Sequence, residues 1–131
     1  LGIRVFEDDL PDGVSAAIVN NASSGATIVI SRGDATNRKR FSCAHEIGHF
    51  VRHTNELDEA EYSYVDFRNQ VASTGVDKEE VYANTFAASL LMPEKLVRKF
   101  VNEKMSPTDM VVKFGVSSMA LANRMNALGL N

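Results

Sequence analysis

One cysteine in 131 residues rules out an internal disulfide, and with it the disulfide-stapled class of small secreted folds. That residue is Cys43, and a reducing cytoplasm is the natural home for such a chain. Long apolar runs are missing as well. No stretch approaches the roughly 20 apolar residues of a membrane-spanning helix, and Arg4, Glu7, Asp8 and Asp9 interrupt any apolar leader segment. An excess of positive charge is also absent. A net charge of −3 argues against a protein that coats nucleic acid or lies on a membrane surface. Neither an internal repeat nor a low-complexity segment is present.

What remains is an ordinary globular composition, 44% hydrophobic and 24% charged. At this length the chain fits one domain whose core needs neither disulfides nor a structural metal. It begins at Leu1 rather than Met, so the domain expectations concern these 131 residues only. The first third reads as β structure: Ile3–Phe6, Val14–Asn20 and Ala26–Ser31 are β-rich runs separated by turn residues, which predicts a small, largely antiparallel sheet. Gly33-Asp34-Ala35-Thr36 offers N-cap chemistry for a helix to about His53, and residues 54–75 read as polar and irregular. A second helix, about Asp77 to Leu91, is apolar over most of its circumference through Val81, Ala83, Phe86, Ala87, Leu90 and Leu91, and is expected to be buried on more than one side. Pro93 sits well in the first turn of a third helix, Glu94–Lys104. Ser106-Pro107-Thr108-Asp109 starts a fourth, about 107–114, and a fifth follows at about 117–128. The fold class expected is α+β, a single domain with a core over about 1–93 and C-terminal helices over about 94–131.

Inside the first helix lies His45-Glu46-Ile47-Gly48-His49, an H-E-x-x-H sequence. Helical positions i and i+4 stack on one face, so both imidazoles can reach one metal ion while Glu46 stands ready to take a proton from water there. A catalytic zinc site needs a third protein ligand and leaves a fourth position to water. Cys43 points to another side of the helix and reads as a small buried residue. His53 lies about 12 Å along the axis from His45, too far for one ion, and reads as a C-terminal histidine facing the helix dipole and nearby carbonyls. The metzincin spacing of a third histidine would fall on Asn55. The remaining candidates are two acids at the start of the second helix, Glu79 and Glu80. Glu80 shares a face with Ala83, Asn84 and Ala87, small residues that permit close helix approach; Glu79 shares one with Ala83 and Phe86, so periodicity leaves both open. Gly48 costs about 1 kcal/mol inside a helix. It makes room for a substrate strand, for water or for close packing.

The segment Arg40-Phe41-Ser42-Cys43-Ala44-His45-Glu46-Ile47-Gly48-His49, with Glu80-Val81-Tyr82-Ala83-Asn84-Thr85-Phe86-Ala87-Ala88-Ser89-Leu90-Leu91-Met92-Pro93, resembles the ImmA/IrrE family of metallo-endopeptidases. The likeness extends to Leu10-Pro11 and to Phe114-Gly115-Val116-Ser117 through Leu130, nearly the whole chain. Many relatives carry a Glu where this chain has Tyr82, so the retained acid is Glu80. The resemblance implies a zincin-like fold and a gluzincin-type site: Zn²⁺ on His45, His49 and Glu80, Glu46 as general base, and Asn84 behind the ligands. The same donors suit Mn²⁺ or Fe²⁺. It also implies a cytoplasmic protease that cleaves a DNA-binding repressor and so relieves repression. A sheet edge from the N-terminal strands is expected to align the substrate, and Tyr62 and Tyr64 are the candidates for an oxyanion donor, against simple packing of their rings. The alternative is a DNA-binding or protein-interaction regulator with a silent or sensing metal site. Residues 107–128 look like a helix-turn-helix, but the expected recognition helix carries one basic residue, Arg124, where phosphate contacts want several.

Overall fold

A computed structural model describes residues 2–67 and 77–130. Four strands, β1 (Arg4–Asp8), β2 (Val14–Asn21), β3 (Gly25–Ser31) and β4 (Tyr62–Phe67), form a sheet of order β1-β3-β2-β4. The β2–β3 and β2–β4 pairs are antiparallel, while β1 lies parallel to β3. The three N-terminal strands stand close to the β-rich runs of the sequence, and the sheet is mostly antiparallel. Alternate residues Ala16, Ile18, Ala26, Ile28 and Ile30 face one side and are buried. Against them pack Cys43, Ile47 and Phe50 of helix α1 (Thr36–Phe50). Ile18 and Ile28 are fully buried, each contributing about 1.5–3 kcal/mol.

β4 is an element that the sequence reading left irregular. Its inward residues are Tyr62, Tyr64 and Asp66, while Val65 and Phe67 face outward and are about half exposed. That polarity is the reverse of a half-buried strand, so the usual apolar-in pattern is hidden. β4 and β1 are the two sheet edges.

α1 differs from expectation at both ends. Ala35 is the N-cap and supplies no side-chain hydrogen bond, so the capping chemistry expected of Gly33–Thr36 is not used. After Phe50 the helix widens into a π-helical segment, Val51–Glu56. Helix α2 (Lys78–Leu91) starts at Asp77, whose side chain accepts from the Glu79 amide. The expectation of burial around most of α2 is not met: Ala83 and Ala87 are buried, but Val81 and Leu90 are more than half exposed. Its buried stripe is the narrow small-residue one.

The C-terminal helices α3 (Glu94–Asn102), α4 (Pro107–Phe114) and α5 (Ser118–Ala127) share a second core of Met92, Val97, Met110, Phe114, Val116 and Leu121. Ser106 caps α4 through the Asp109 amide, with proline at the first position, as its sequence dictates. Pro93, by contrast, precedes α3 as its N-cap residue. Arg40 of α1 donates from Nη1 to the carbonyls of Phe114 and Gly115 at 2.6 Å each, tying α1 to the end of α4. Gly115 turns the chain there with φ +66, and a side chain on it would run into the Arg40 guanidinium. No helix among the described residues is long and apolar enough to cross a membrane.

Candidate metal centre

α1 turns one face, bearing His45, Glu46 and His49, away from water; the three are 2%, 0% and 1% exposed. Such burial requires partners, and α2 brings them because Gly48 has no side chain. A methyl group there would stand 3.1 Å from Ala83 Cα and 3.1 Å from Phe86 Cβ. Of the alternatives for Gly48, close helix packing is the one realised. The approach carries Glu80 between the two histidines: Oε2 is 2.9 Å from His45 Nε2, and Oε1 is 3.3 Å from His49 Nε2. Asn84, one turn on, places Oδ1 2.8 Å from His45 Nδ1. An amide oxygen only accepts, so His45 donates through Nδ1 and turns Nε2 toward Glu80.

The 2.9 Å approach of Glu80 to His45 is held by a proton on Nε2 in the metal-free chain, a position that a metal ion can take over. Both Glu46 oxygens are buried without a hydrogen-bond partner. Burial opposes charge on His45, but Glu80, Asp66 and Glu46 outweigh it and lift its pKa to about 9. Burial, reinforced by Asp66 and Glu80, pushes Glu46 up to about 8. The histidines hold Glu80 down to about 2. Carboxylates and imidazoles gathered in a desolvated space form a donor set that fits a divalent ion.

β4 contributes a carboxylate that sequence reasoning does not single out. Asp66 Oδ1 lies 3.8 Å from His45 Nε2, with the side chain 15% exposed and its pKa raised by burial. The period-two spacing of Tyr62, Tyr64 and Asp66 was the available signal. The strand edge beside the histidines is β4 rather than an N-terminal strand. Tyr64 stacks on His49, ring centroids 4.3 Å apart and planes 4° from parallel, whereas the Tyr62 hydroxyl is engaged with Thr54 Oγ1 at 2.6 Å.

The other candidates separate from this cluster. Glu79 accepts from Arg52 Nε at 2.9 Å and lies 2.8 Å from His53 Nε2. His53 is buried between Glu79 and Glu59, not directed at helix carbonyls as expected; its partners are carboxylates that loop and helix packing bring in. Tyr82 donates to Glu56 Oε1 with Arg52 over its ring, on the α2 side away from Glu80's partners. Cys43 is half-buried against the sheet core, and burial raises its thiol pKa. Among the described residues, three groupings set ligand atoms within 4.8 Å of one another: His45, Glu46 and His49; His49, His53 and Glu79; and His45, Asp66 and Glu80.

Comparison with known proteins adds a family. The profile of Peptidase M78, described as the IrrE N-terminal-like domain, matches residues 1–126. The chain belongs to this family. Its α+β architecture is consistent with the zincin-like fold of the M78 domains, and its His/Glu groupings are able to bind a metal ion, as a metallopeptidase family requires. The chain is also 34% identical over 89 residues to "Uncharacterized immunity region protein 2" of Bacillus phage phi105. The match takes in 68% of the chain, which spans about half (52%) of that relative's length.

Proposed function

We propose that this M78 domain is a zinc-dependent endopeptidase in which His45, His49 and Glu80 hold the ion and Glu46 is the general base. The observation that carries this reading is the placement of the two Glu80 oxygens, 2.9 and 3.3 Å from the two histidine Nε2 atoms. One carboxylate oxygen beside each imidazole nitrogen is the placement that lets a single acid complete a donor set with both histidines. When bound, zinc polarises a carbonyl oxygen and lowers the pKa of water towards 7; Mn²⁺ or Fe²⁺ supplies related chemistry. Glu46 would be the group that takes a proton from the attacking water and returns it to the leaving amine. Its desolvation suits the task, because a buried carboxylate is a stronger base than an exposed one. Asn84 positions His45 through Nδ1.

The substrate is a DNA-binding repressor, cleaved in the cytoplasm so that repression is relieved. The immunity-region name of the phage relative supports a regulatory setting of this kind. β4 pairs with β2 alone among the described strands, and its other edge lies beside the site where an extended peptide can add as a further strand. In this reading residues 1–93 form the catalytic core and residues 94–131 the helices that dock on it. The DNA-binding alternative draws less support. Arg124, the sole basic residue of α5, donates to the Met92 carbonyl at 3.0 Å and so is engaged within the fold.

Glu46→Gln tests the mechanism. The zinc-loaded variant, incubated with a purified helix-turn-helix repressor and followed by mass spectrometry, should retain its zinc and lose cleavage. Undiminished cleavage would rule the general base out.

A further inference from the structure

Asp66 has no part in the three-ligand reading, yet its position is specific. Its carboxylate faces the same His45 nitrogen as Glu80 does, at 3.8 Å, and the ligand atoms of His45, Asp66 and Glu80 lie within 4.8 Å of one another. With Nδ1 of His45 on Asn84, both carboxylates converge on Nε2. Two carboxylates gather there around positive charge, supplied by a proton on Nε2 in the metal-free chain and open to replacement by a divalent ion. The strand pairing supplies an independent observation. The β2–β4 register shifts between Val14 and Ala16, opposite Phe67 and Asp66, so β2 spends an extra residue at that point. Such bulges re-aim a neighbouring side chain and recur beside active sites.

We propose that Asp66 is a fourth protein ligand, joining His45, His49 and Glu80, and that it biases the site toward ions that favour oxygen donors, Mn²⁺ above all. The inference rests on the metal-site reading given above. Two histidines and one carboxylate suit a four-coordinate zinc with one open position. A second carboxylate adds a hard oxygen, balances the divalent charge and fits five- or six-coordination, which still leaves room for a substrate oxygen.

Divalent affinity measures this without reference to catalysis. Zn²⁺ and Mn²⁺ dissociation constants, obtained by competition with a chromophoric chelator, are compared for the parent chain, Asp66→Asn and Asp66→Ala, with circular dichroism as the check on folding. Asp66→Asn preserves the volume of the side chain and keeps the comparison valid if the alanine variant is poorly folded. Zinc binds more tightly than manganese at any such site, so the ratio of the two is the readout. Mn²⁺ binding should weaken by at least about tenfold and Zn²⁺ binding by less, widening the ratio. In the Co²⁺-substituted protein, the visible absorption should intensify toward the tetrahedral pattern when Asp66 is replaced. Unchanged ratio and spectrum in a folded variant, with the parent chain binding both ions, overturn the role of Asp66 and leave the three-ligand site standing. A parent chain that binds neither ion overturns the metal-site reading and this inference together.

Discussion

Replacing Gly48 by alanine probes the packing on which the whole site depends. The added methyl carbon would lie 3.1 Å from Ala83 Cα, 3.1 Å from Phe86 Cβ and 3.3 Å from the Ala83 carbonyl oxygen. Carbon atoms pack best at about 3.5–4.0 Å, so the shortfall is several tenths of an ångström. Two of the three neighbours belong to the Ala83 backbone, which has no rotamer to change, and α2 must move as a body. Overpacking of this kind costs about 1–3 kcal/mol, and alanine returns about 1 kcal/mol of helix propensity. The expected net loss is about 1 kcal/mol, or about 3–5 °C in the melting temperature of a chain of this size. Because α2 carries Glu80 and Asn84, the same shift exceeds the roughly 0.2 Å tolerance of a metal site, and zinc affinity should fall about tenfold. Thermal unfolding of the metal-free protein and chelator competition for zinc measure the two effects. A Gly48→Ala protein that melts higher than the parent and binds zinc equally well would refute the packing argument.

Glu80→Ala should weaken zinc binding by orders of magnitude, whereas Glu79→Ala should leave it nearly unchanged, since Glu79 serves Arg52 and His53; isothermal titration distinguishes them, and the reverse result would transfer the third ligand to Glu79. Arg40→Ala removes two hydrogen bonds from an exposed side chain, which should cost about 1 kcal/mol and loosen the C-terminal helices first, read as faster amide exchange in α4 and α5. His45 and Glu46 both hold a proton more tightly in the folded metal-free chain than unfolded, with pKa values of about 9 and about 8. Both contributions are complete below the unfolded pKa and are lost as pH rises through the folded one, so metal-free stability should decline between about pH 5 and 9. Urea midpoints across that range test the sign, and a midpoint that rises with pH would contradict it.

The H-E-x-x-H residues were legible because helical period alone stacks His45 and His49, and that relation needs no knowledge of the rest of the fold. The three N-terminal strands were legible because short β-rich runs stand between clusters of turn residues, a local signal of the same kind. β4 was not. Its inward face is Tyr62, Tyr64 and Asp66 and its outward face includes Val65 and Phe67, because a strand that borders a polar site inverts the pattern by which strands are recognised. α2 misled in the opposite direction: Val81 and Leu90 read as core but stand in the open, since the helix meets α1 on one side, through Glu80, Ala83, Asn84 and Phe86.

Glu79 and Glu80 mark the boundary between the two kinds of knowledge. Local periodicity placed both acids at the start of one helix and left them equivalent, and family likeness favoured the second. The approach of α2 over Gly48 separates them physically, setting Glu80 against His45 and His49 and Glu79 against Arg52 and His53. The sequence by itself determined what short-range geometry determines: two stacked imidazoles, an adjacent carboxylate, a capped α4 and the β-rich runs of the sheet. Tertiary structure alone decided which distant carboxylates reach those imidazoles and brought Asp66 to them, because side chains on α1, α2 and β4 share a space only after the elements pack.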